Sequence, residues 1–575
     1  MRSILFATVA IAAVALVGSL AVTTKAGSDA RPAKYIVLYE KGASPAAVRA
    51  AVQKAGGRIL RANNKVGVAT AFSAKASFEH NAIAAPSIKG VARNQVIGRA
   101  PPALRPKVTQ EQQRQLREAL RGSKLHARSG GRKYAAEHPK AEPLAGLQWD
   151  MQMIHATVDG SYRKEQGDKK VLVGILDTGV DGNHPDIAPN FSRSLSRNFT
   201  IDIPLIDGPC ADEPDHSCND PSDVDENSHG THVASTIGSP INGLGMAGVA
   251  PKVTLVNIRA GQDSGFFFLQ PSVDALTYAA DIGVDVVNMS YFIDPWLFNC
   301  RSNAADTPAE QAEQATIIEA TQRALDYAHL HGVTLVAAAG NDHTNLAQVT
   351  TDDTSPDFPP GTSRHRDVNN NCLTMPGQGN NVIDVSAVGP SKRKADYSNY
   401  GYEKITVAAP GGWFRDTPWT AANPNAGIPN LILAAYPKNV AEEVGDLNPD
   451  GTPNTPFVIR DCKGQTCAYY QYIQGTSMAS PHAVGVVALI VSKYGEHGHE
   501  HGGISLHPFL AQAILQATAT STPCMTPNPF SYAAFNRPAS FTTFCEGTEV
   551  YNGVYGNGIV DALAAVSPGA FDIGN

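Results

Sequence analysis

Short apolar runs alternate with longer stretches of helical period through most of the chain. From about Leu144 onward the runs "KVLVGILDTG", "KVTLVNIRA", "VDVVNMS" and "VTLVAAAGN" read as strands, each apolar on nearly every position. Between them, "HGTHVASTIG", "SVDALTYAADIG" and "ATIIEATQRALDYAHLHG" carry helical spacing. Continuous apolar strands separated by helices predict an α/β fold whose mainly parallel sheet is covered on both faces. Such sheets gather their chemistry at the carboxyl ends of the strands. Asp177 and Asn341 both stand where an apolar run stops.

Residues 34–99 carry a different pattern. "KYIVLYE" reads as a strand, "SPAAVRAAVQKAGG" as a helix with Val48, Ala51, Val52 and Ala55 on one face, and "VGVATAFS" as a strand. A short helix follows with Phe78, Ala82 and Ala85, then the strand "KGVARNQVIG". The order predicts a small α/β sandwich with one strand left undefined near Arg58–Arg61. Residues 101–140 begin with Pro-Pro and hold ten Lys or Arg against three Glu. They read as a solvated, protease-sensitive linker with one short helix started by Thr109 and Gln112. No repeat at solenoid spacing is present.

Composition adds three points. A chain of 575 residues, 42% hydrophobic and 17% charged, buries at least one large core and divides into more than one domain. The net charge of −7 hides an asymmetry: residues 1–140 hold 24 basic against 6 acidic side chains, and residues 141–575 hold 22 against 47. Two parts of opposite sign attract each other or have separate fates. The start, Met1-Arg2, an uncharged run from Ile4 to Val22 and then "TTKAGSDA", reads as a secretory signal peptide over 1–30, the alternative being an uncleaved anchor. All eight cysteines follow residue 200. An even number in an exported chain favours disulfides. Spacing offers Cys210–Cys218, Cys462–Cys467 and Cys524–Cys545 as local loops among many pairings.

Three segments carry the candidate chemistry. In "VLVGILDTGVDGNHPDI" the carboxylate of Asp177 ends a buried strand, where it needs hydrogen-bond partners; a structural turn cap is the alternative. In "ENSHGTHVASTIG" His229 opens a helix and His232 follows three residues later. Zinc-binding helices space their histidines by four with an intervening Glu, so a general base oriented by Asp177 is favoured over a metal pair. In "QGTSMASPHAVGVVALIVSKYG" Ser477 stands at the start of a buried helix. A helix cap explains a hydroxyl there, but not Pro481, which lacks the N–H that would bond back to the Ser477 carbonyl. A serine at that end sits in a field that favours developing negative charge.

The order Asp, His, Ser within "DTG", "HGTH" and "GTSMASP" resembles the subtilisin-like serine protease family. The resemblance extends to "AAAGN" at Ala337–Asn341, "VAAPG" at Val407–Gly411 and "YGNGIVDALAAV" near the C-terminus. It implies a subtilisin-like three-layer fold over 144–575, preceded by an inhibitory ferredoxin-like α/β propeptide over 31–100 and a removable basic linker over 101–143. It implies a secreted, monomeric serine endopeptidase made as a zymogen, acting on protein or peptide substrates, with no nucleic acid partner and no membrane attachment after signal cleavage. Ser477 becomes the nucleophile, His229 the base, Asp177 its partner, and Asn341 a donor to the oxyanion beside the Ser477 N–H. Ser290, Tyr291, Phe292, Ala339 and Gly340 match substrate-binding positions. No cofactor is implied for catalysis. Asp186 and Asn242 match positions that hold a structural calcium in many members. The alternative is an inactive subtilisin-like scaffold that binds partners; an esterase is disfavoured because Ser477 lacks a G-x-S-x-G elbow.

The chain also departs from the family. The family usually has Gly two residues beyond the Ser of "NMS", where this chain has Phe292, so altered specificity is expected. Between Asp202 and Glu226 lie nine carboxylates and no Lys or Arg. That stretch reads as a solvated, disulfide-pinned loop, or as a calcium loop or a subsite for basic residues. "EHGHEHGG" reads as an exposed loop or a metal site through His497, His499 and His501. Insertions at Pro295–Glu313, Asp352–Cys372 and Trp413–Cys467 are expected as surface loops beside the cleft.

Overall fold

A computed structural model describes residues 32–94, 138, 140–212, 216–416, 427–497 and 503–567. The proposed signal segment, most of the basic linker, and His499 and His501 of the histidine-rich stretch lie outside the described residues.

The N-terminal unit runs β1 (Ala33–Tyr39), α1 (Pro45–Lys54), β2 (Gly57–Asn63), β3 (Val68–Ser73), α2 (Phe78–Ile83) and β4 (Ile88–Asn94). Its sheet has the order β2-β3-β1-β4 with antiparallel neighbours. Helix α1 starts because the Ser44 hydroxyl accepts the Ala47 N–H at 3.2 Å and Pro45 takes the first position, which needs no N–H bond. Val48, Val52, Phe78 and Ala82 are fully buried beneath the sheet. The undefined strand is β2, an edge strand whose side chains are mostly exposed.

The larger unit is built on seven parallel strands: β5 (Leu172–Leu176), β6 (Arg197–Asn198), β7 (Thr254–Arg259), β8 (Val286–Met289), β9 (Thr334–Ala338), β10 (Val382–Val388) and β11 (Val407–Pro410). They lie in the order β11-β10-β9-β8-β5-β7-β6. Helices α3 (His229–Gly238), α4 (Leu269–Asp281), α5 (Pro308–Leu330), α6 (Thr476–Tyr494) and α7 (Pro508–Thr518) cover it. Helices α3, α6 and α7 bury one face, and α4 and α5 the other, making three layers. Helix α5 begins earlier than its apolar period suggests. Thr307 and Glu310 form a capping box, so part of the first expected insertion is helical.

The insertion after Trp413 also holds regular structure. Strands β12 (Ile432–Ala435), β13 (Val458–Lys463) and β14 (Thr466–Ile473) form an antiparallel sheet in the order β12-β14-β13. Four disulfides join Cys210–Cys218, Cys300–Cys372, Cys462–Cys467 and Cys524–Cys545. Three are the local loops offered by spacing, and Cys300–Cys372 ties the first two insertions together.

The N-terminal unit packs its sheet on α4 and α5. Ile36, Leu38, Val66, Val68 and Ala92 join the same buried cluster as Ala275, Ile317 and Ala320. Polar contacts surround it: Arg61 Nε lies 2.6 Å from Asp274, Asn63 donates to Asp274 and Thr277, Lys65 pairs with Asp281, and Arg323 donates to the Tyr39 carbonyl.

Candidate active site

Strand β5 ends at Leu176 and delivers Asp177 with no solvent exposure. Its Oδ1 accepts the Thr178 N–H at 2.8 Å and lies 2.7 Å from Nδ1 of His229. The Asp177 carbonyl accepts the N–H groups of Ala260 and Gly261, which fix this strand end to the one that follows β7. A buried carboxylate with these donors orients the imidazole and favours its protonated form.

His229 is the first residue of α3, and the turn before it is unusual. Ser228 has φ of 94°, a conformation rare for a residue with a side chain. Asp225 holds that turn together. Its Oδ1 accepts the N–H groups of Asn227 and Ser228, and its Oδ2 accepts both the N–H and the hydroxyl of Thr231. Burial pulls the His229 pKa down, but the Asp177 carboxylate, with help from Asp225, raises it above the ordinary imidazole value. His232 is no partner in this chemistry. It is buried, its Nε2 faces the carbonyls of Ile432 and Gln471, and burial lowers its pKa to about 3.

Ser477 stands on the first turn of helix α6, which packs against α3. Pro481 removes the helical partner of the Ser477 carbonyl, and the Ser290 hydroxyl takes its place at 3.1 Å. Ser290 lies just beyond β8, whose Asn288 donates to the Ser290 hydroxyl and accepts from Ser480. The Ser477 hydroxyl is 3.4 Å from the Ser290 carbonyl.

Asn341 follows β9 and is oriented by Thr476, whose N–H and hydroxyl both donate to Asn341 Oδ1 at 2.9 Å. With its oxygen so held, the amide Nδ2 is turned outward as a donor. A Cβ at Gly475 would lie 3.6 Å from the Ser477 nitrogen and 3.7 Å from Asn341 Nδ2. Both amide nitrogens thus lie near one point at the start of α6, the positive end of that helix.

The remaining sequence-selected residues separate. Ser290 and Gly340 bind the first turn of α6; the Gly340 N–H donates to the Thr476 hydroxyl. Tyr291 stacks flat on Phe267 at 4.1 Å. Phe292 packs on the insertion cluster that includes Leu297, Phe298 and buried Ala339. Asp202, Asp220 and Asp225 of the acidic stretch are buried, so the stretch is only in part the solvated loop expected, and the Cys210–Cys218 disulfide does pin it. Asp202, Asp220 and Asp263 surround the buried guanidinium of Arg259. Asp225, Asp220 and Asn288 escaped the sequence reading; only the apolar setting of Asn288 hinted at a role.

Asp186 and Asn242 do lie together, but their donors do not suit a cation. Asp186 accepts the Asn242 amide at 2.9 Å, the Met246 N–H at 3.2 Å and the Tyr470 hydroxyl at 3.1 Å. Asn242 Oδ1 accepts the Leu244 N–H, and the Asn242 carbonyl accepts the Lys463 ammonium at 2.5 Å. The side-chain oxygens of both residues, and the Asn242 carbonyl, are thus engaged by protein donors instead of a calcium ion.

Comparison with known proteins places the chain among serine proteases. The profile described as "Subtilase family" matches residues 168–539. Subtilisin DY of Bacillus licheniformis is 27% identical over 56% of this chain and 77% of its own length. The nisin leader peptide-processing serine protease of Lactococcus lactis subsp. lactis is 29% identical over 66% of this chain and 49% of its own length. The chain thus spans from about half to just over three quarters of the length of these relatives. The crystal structure of an epidermin leader peptide processing serine protease from Staphylococcus aureus superposes with a TM-score of 0.58 at 21% identity, covering 93% of this chain and 98% of that one. Fervidolysin from Fervidobacterium pennivorans gives 0.52 at 22% identity, covering 94% of this chain and 61% of that one.

Proposed function

The chain belongs to the subtilase family of serine proteases, and from that premise we propose that it is an exported endopeptidase made as a zymogen. The observation that carries the catalytic reading is the 2.7 Å contact between buried Asp177 and the His229 ring at the carboxyl end of the sheet. Ser477 Oγ attacks the scissile carbonyl while His229 Nε2 takes its proton and returns it to the leaving amine. Asp177 keeps Nδ1 protonated and stabilises the imidazolium. The oxyanion forms against the Ser477 N–H and Asn341 Nδ2. Water then cleaves the acyl-enzyme, again with His229 as base. Nucleophile, base and oxyanion donors all come from the chain.

The N-terminal unit acts as a ferredoxin-like inhibitory propeptide in this reading. Its support is the sheet packed on α4 and α5, and the pairing of Arg61 and Lys65 with Asp274 and Asp281. Basic propeptide and acidic catalytic unit attract each other, as the charge asymmetry suggests. Export is supported by the apolar run at Ile4–Val22 and the four disulfides. The packing of Phe292 against the insertions supports a specificity distinct from that of relatives with Gly there. Casein hydrolysis by the wild type and its loss in Ser477→Ala test the proposal; hydrolysis unchanged by that substitution overturns it, and no hydrolysis by the processed wild type favours the scaffold.

A further inference from the structure

The loop from Asn242 to Met246 is turned the wrong way for a metal. Its N–H groups point at side-chain oxygens: Gly243 N–H to Glu142 at 3.1 Å, Leu244 N–H to Asn242, Gly245 N–H to Asp461 at 2.8 Å and Met246 N–H to Asp186. Successive amides aimed this way form an anion nest, not a cation cage. Three carboxylates from distant parts of the chain fill it. Of the loop carbonyls, that of Asn242 faces a cation the protein supplies itself, Lys463, and that of Gly245 accepts a backbone N–H.

Each donor has a structural reason to be there. Lys463 ends β13 and stands beside Cys462, whose disulfide to Cys467 closes the β13–β14 hairpin. The opposite strand carries Tyr470, fully buried, with its hydroxyl on Asp186. A Cβ at residue 245 would lie 1.7 Å from that hydroxyl oxygen, so glycine is what admits the tyrosine. Glu142 is 4% exposed, and two residues later the Leu144 N–H donates to the Gly245 carbonyl at 2.7 Å. The loop therefore grips the start of the catalytic unit from both sides.

We propose that this locus is a metal-free clasp: the hairpin donors Lys463 and Tyr470, with the loop amides, hold Asp186, Glu142 and the N-terminal segment without calcium. The chain's own ammonium supplies the positive charge at the Asn242 carbonyl. Because Lys463 is tethered by a short disulfide-closed hairpin, it does not dissociate on dilution or chelation.

The test uses the full chain carrying Ser477→Ala, so that self-cleavage does not intrude. Thermal unfolding is followed in excess calcium and in excess chelator, alone and with Lys463→Met, Lys463→Arg, Asp186→Asn or Tyr470→Phe added. The clasp predicts that Lys463→Met lowers the melting temperature by about 1–3 °C, that Lys463→Arg recovers most of the loss, and that any calcium response of the parent persists in Asp186→Asn. Terbium, used as the calcium probe, gives no emission that depends on Tyr470. A calcium-induced rise that vanishes in Asp186→Asn, or terbium emission lost in Tyr470→Phe, overturns the proposal. An unchanged melting temperature in Lys463→Met overturns the role given to the lysine. If Asp186→Asn fails to fold, the terbium comparison alone decides the metal question.

Discussion

The Ser290 hydroxyl donates to the Ser477 carbonyl at 3.1 Å, filling the place that Pro481 leaves without an N–H. A buried carbonyl without a donor is costly, and the helix start would shift to find one. Ser290 is thus a positioning residue for Ser477, the proposed nucleophile. Ser290→Ala is expected to lower kcat roughly tenfold with little change in KM, the cost of about 1–2 kcal/mol for one lost hydrogen bond. A rise in KM alone, measured on a short peptide, assigns Ser290 to substrate contact instead.

Asn341 is held by its oxygen so that its nitrogen is the free end. Asn341→Ala removes one of two donors bordering the space beside Ser477. The expected loss is about 10²–10³ in kcat, the size found for such a donor in a subtilisin, with KM nearly unchanged. Asn341→Asp, which offers oxygen where the amide was, loses at least as much. Steady-state rates of both variants check the assignment.

The pH profile follows from the Asp177–His229 contact. In the proposed mechanism His229 acts as base only when neutral, and its pKa lies above the ordinary imidazole value despite the opposing effect of burial. Activity therefore rises with pH through a midpoint higher than that of an isolated histidine and is lost below it. Asp177→Asn removes the charge that raises the pKa. Its midpoint moves down, and the rate falls by up to about 10⁴ because the wrong tautomer is favoured. A midpoint unmoved by Asp177→Asn in kcat/KM against pH would falsify the coupling.

How far the sequence reveals this site depends on the range of the contacts. Asp177 and Asn341 were legible because apolar strands stop at them, and Ser477 because Pro481 breaks a rule that a plain helix cap respects. Strand β2 was hidden because its residues are mostly exposed and include Arg58, Arg61 and Asn63. Asp225 sits among eight other carboxylates within Asp202–Glu226, so its composition signalled solvent although it binds four donors of the turn and helix around His229. The Lys463 contact with Asn242 spans 221 residues, and no local pattern encodes it. The contacts of the N-terminal unit with the larger unit were anticipated only as a charge imbalance, without partners.

Those partners yield a prediction for activation. Arg61 pairs with Asp274 and Lys65 with Asp281 at the rim of the buried contact on α4 and α5. Both pairs are partly exposed, so each contributes little to affinity and more to the rate of association and its salt dependence. Arg61→Glu with Lys65→Glu is expected to speed release of activity from the purified zymogen several-fold. Added salt speeds the wild type and leaves the double variant nearly unaffected. Equal salt dependence in the two removes these pairs from the inhibitory contact.

The position of Glu142 sets a limit on maturation. The family resemblance implied a removable linker over residues 101–143, yet Glu142 is buried on the loop amides and Leu144 is bonded to Gly245. Cutting after residue 143 would discard the carboxylate and leave the Gly243 N–H without its acceptor. The cut is therefore expected before Glu142, within the basic stretch that ends at Lys140. N-terminal sequencing and intact mass of the processed protein locate it. Glu142→Gln keeps an oxygen for the amide and is expected to leave processing intact, whereas Glu142→Ala loosens the new N-terminus and raises its susceptibility to added trypsin. A mature chain that begins after Glu142 rules out this anchor.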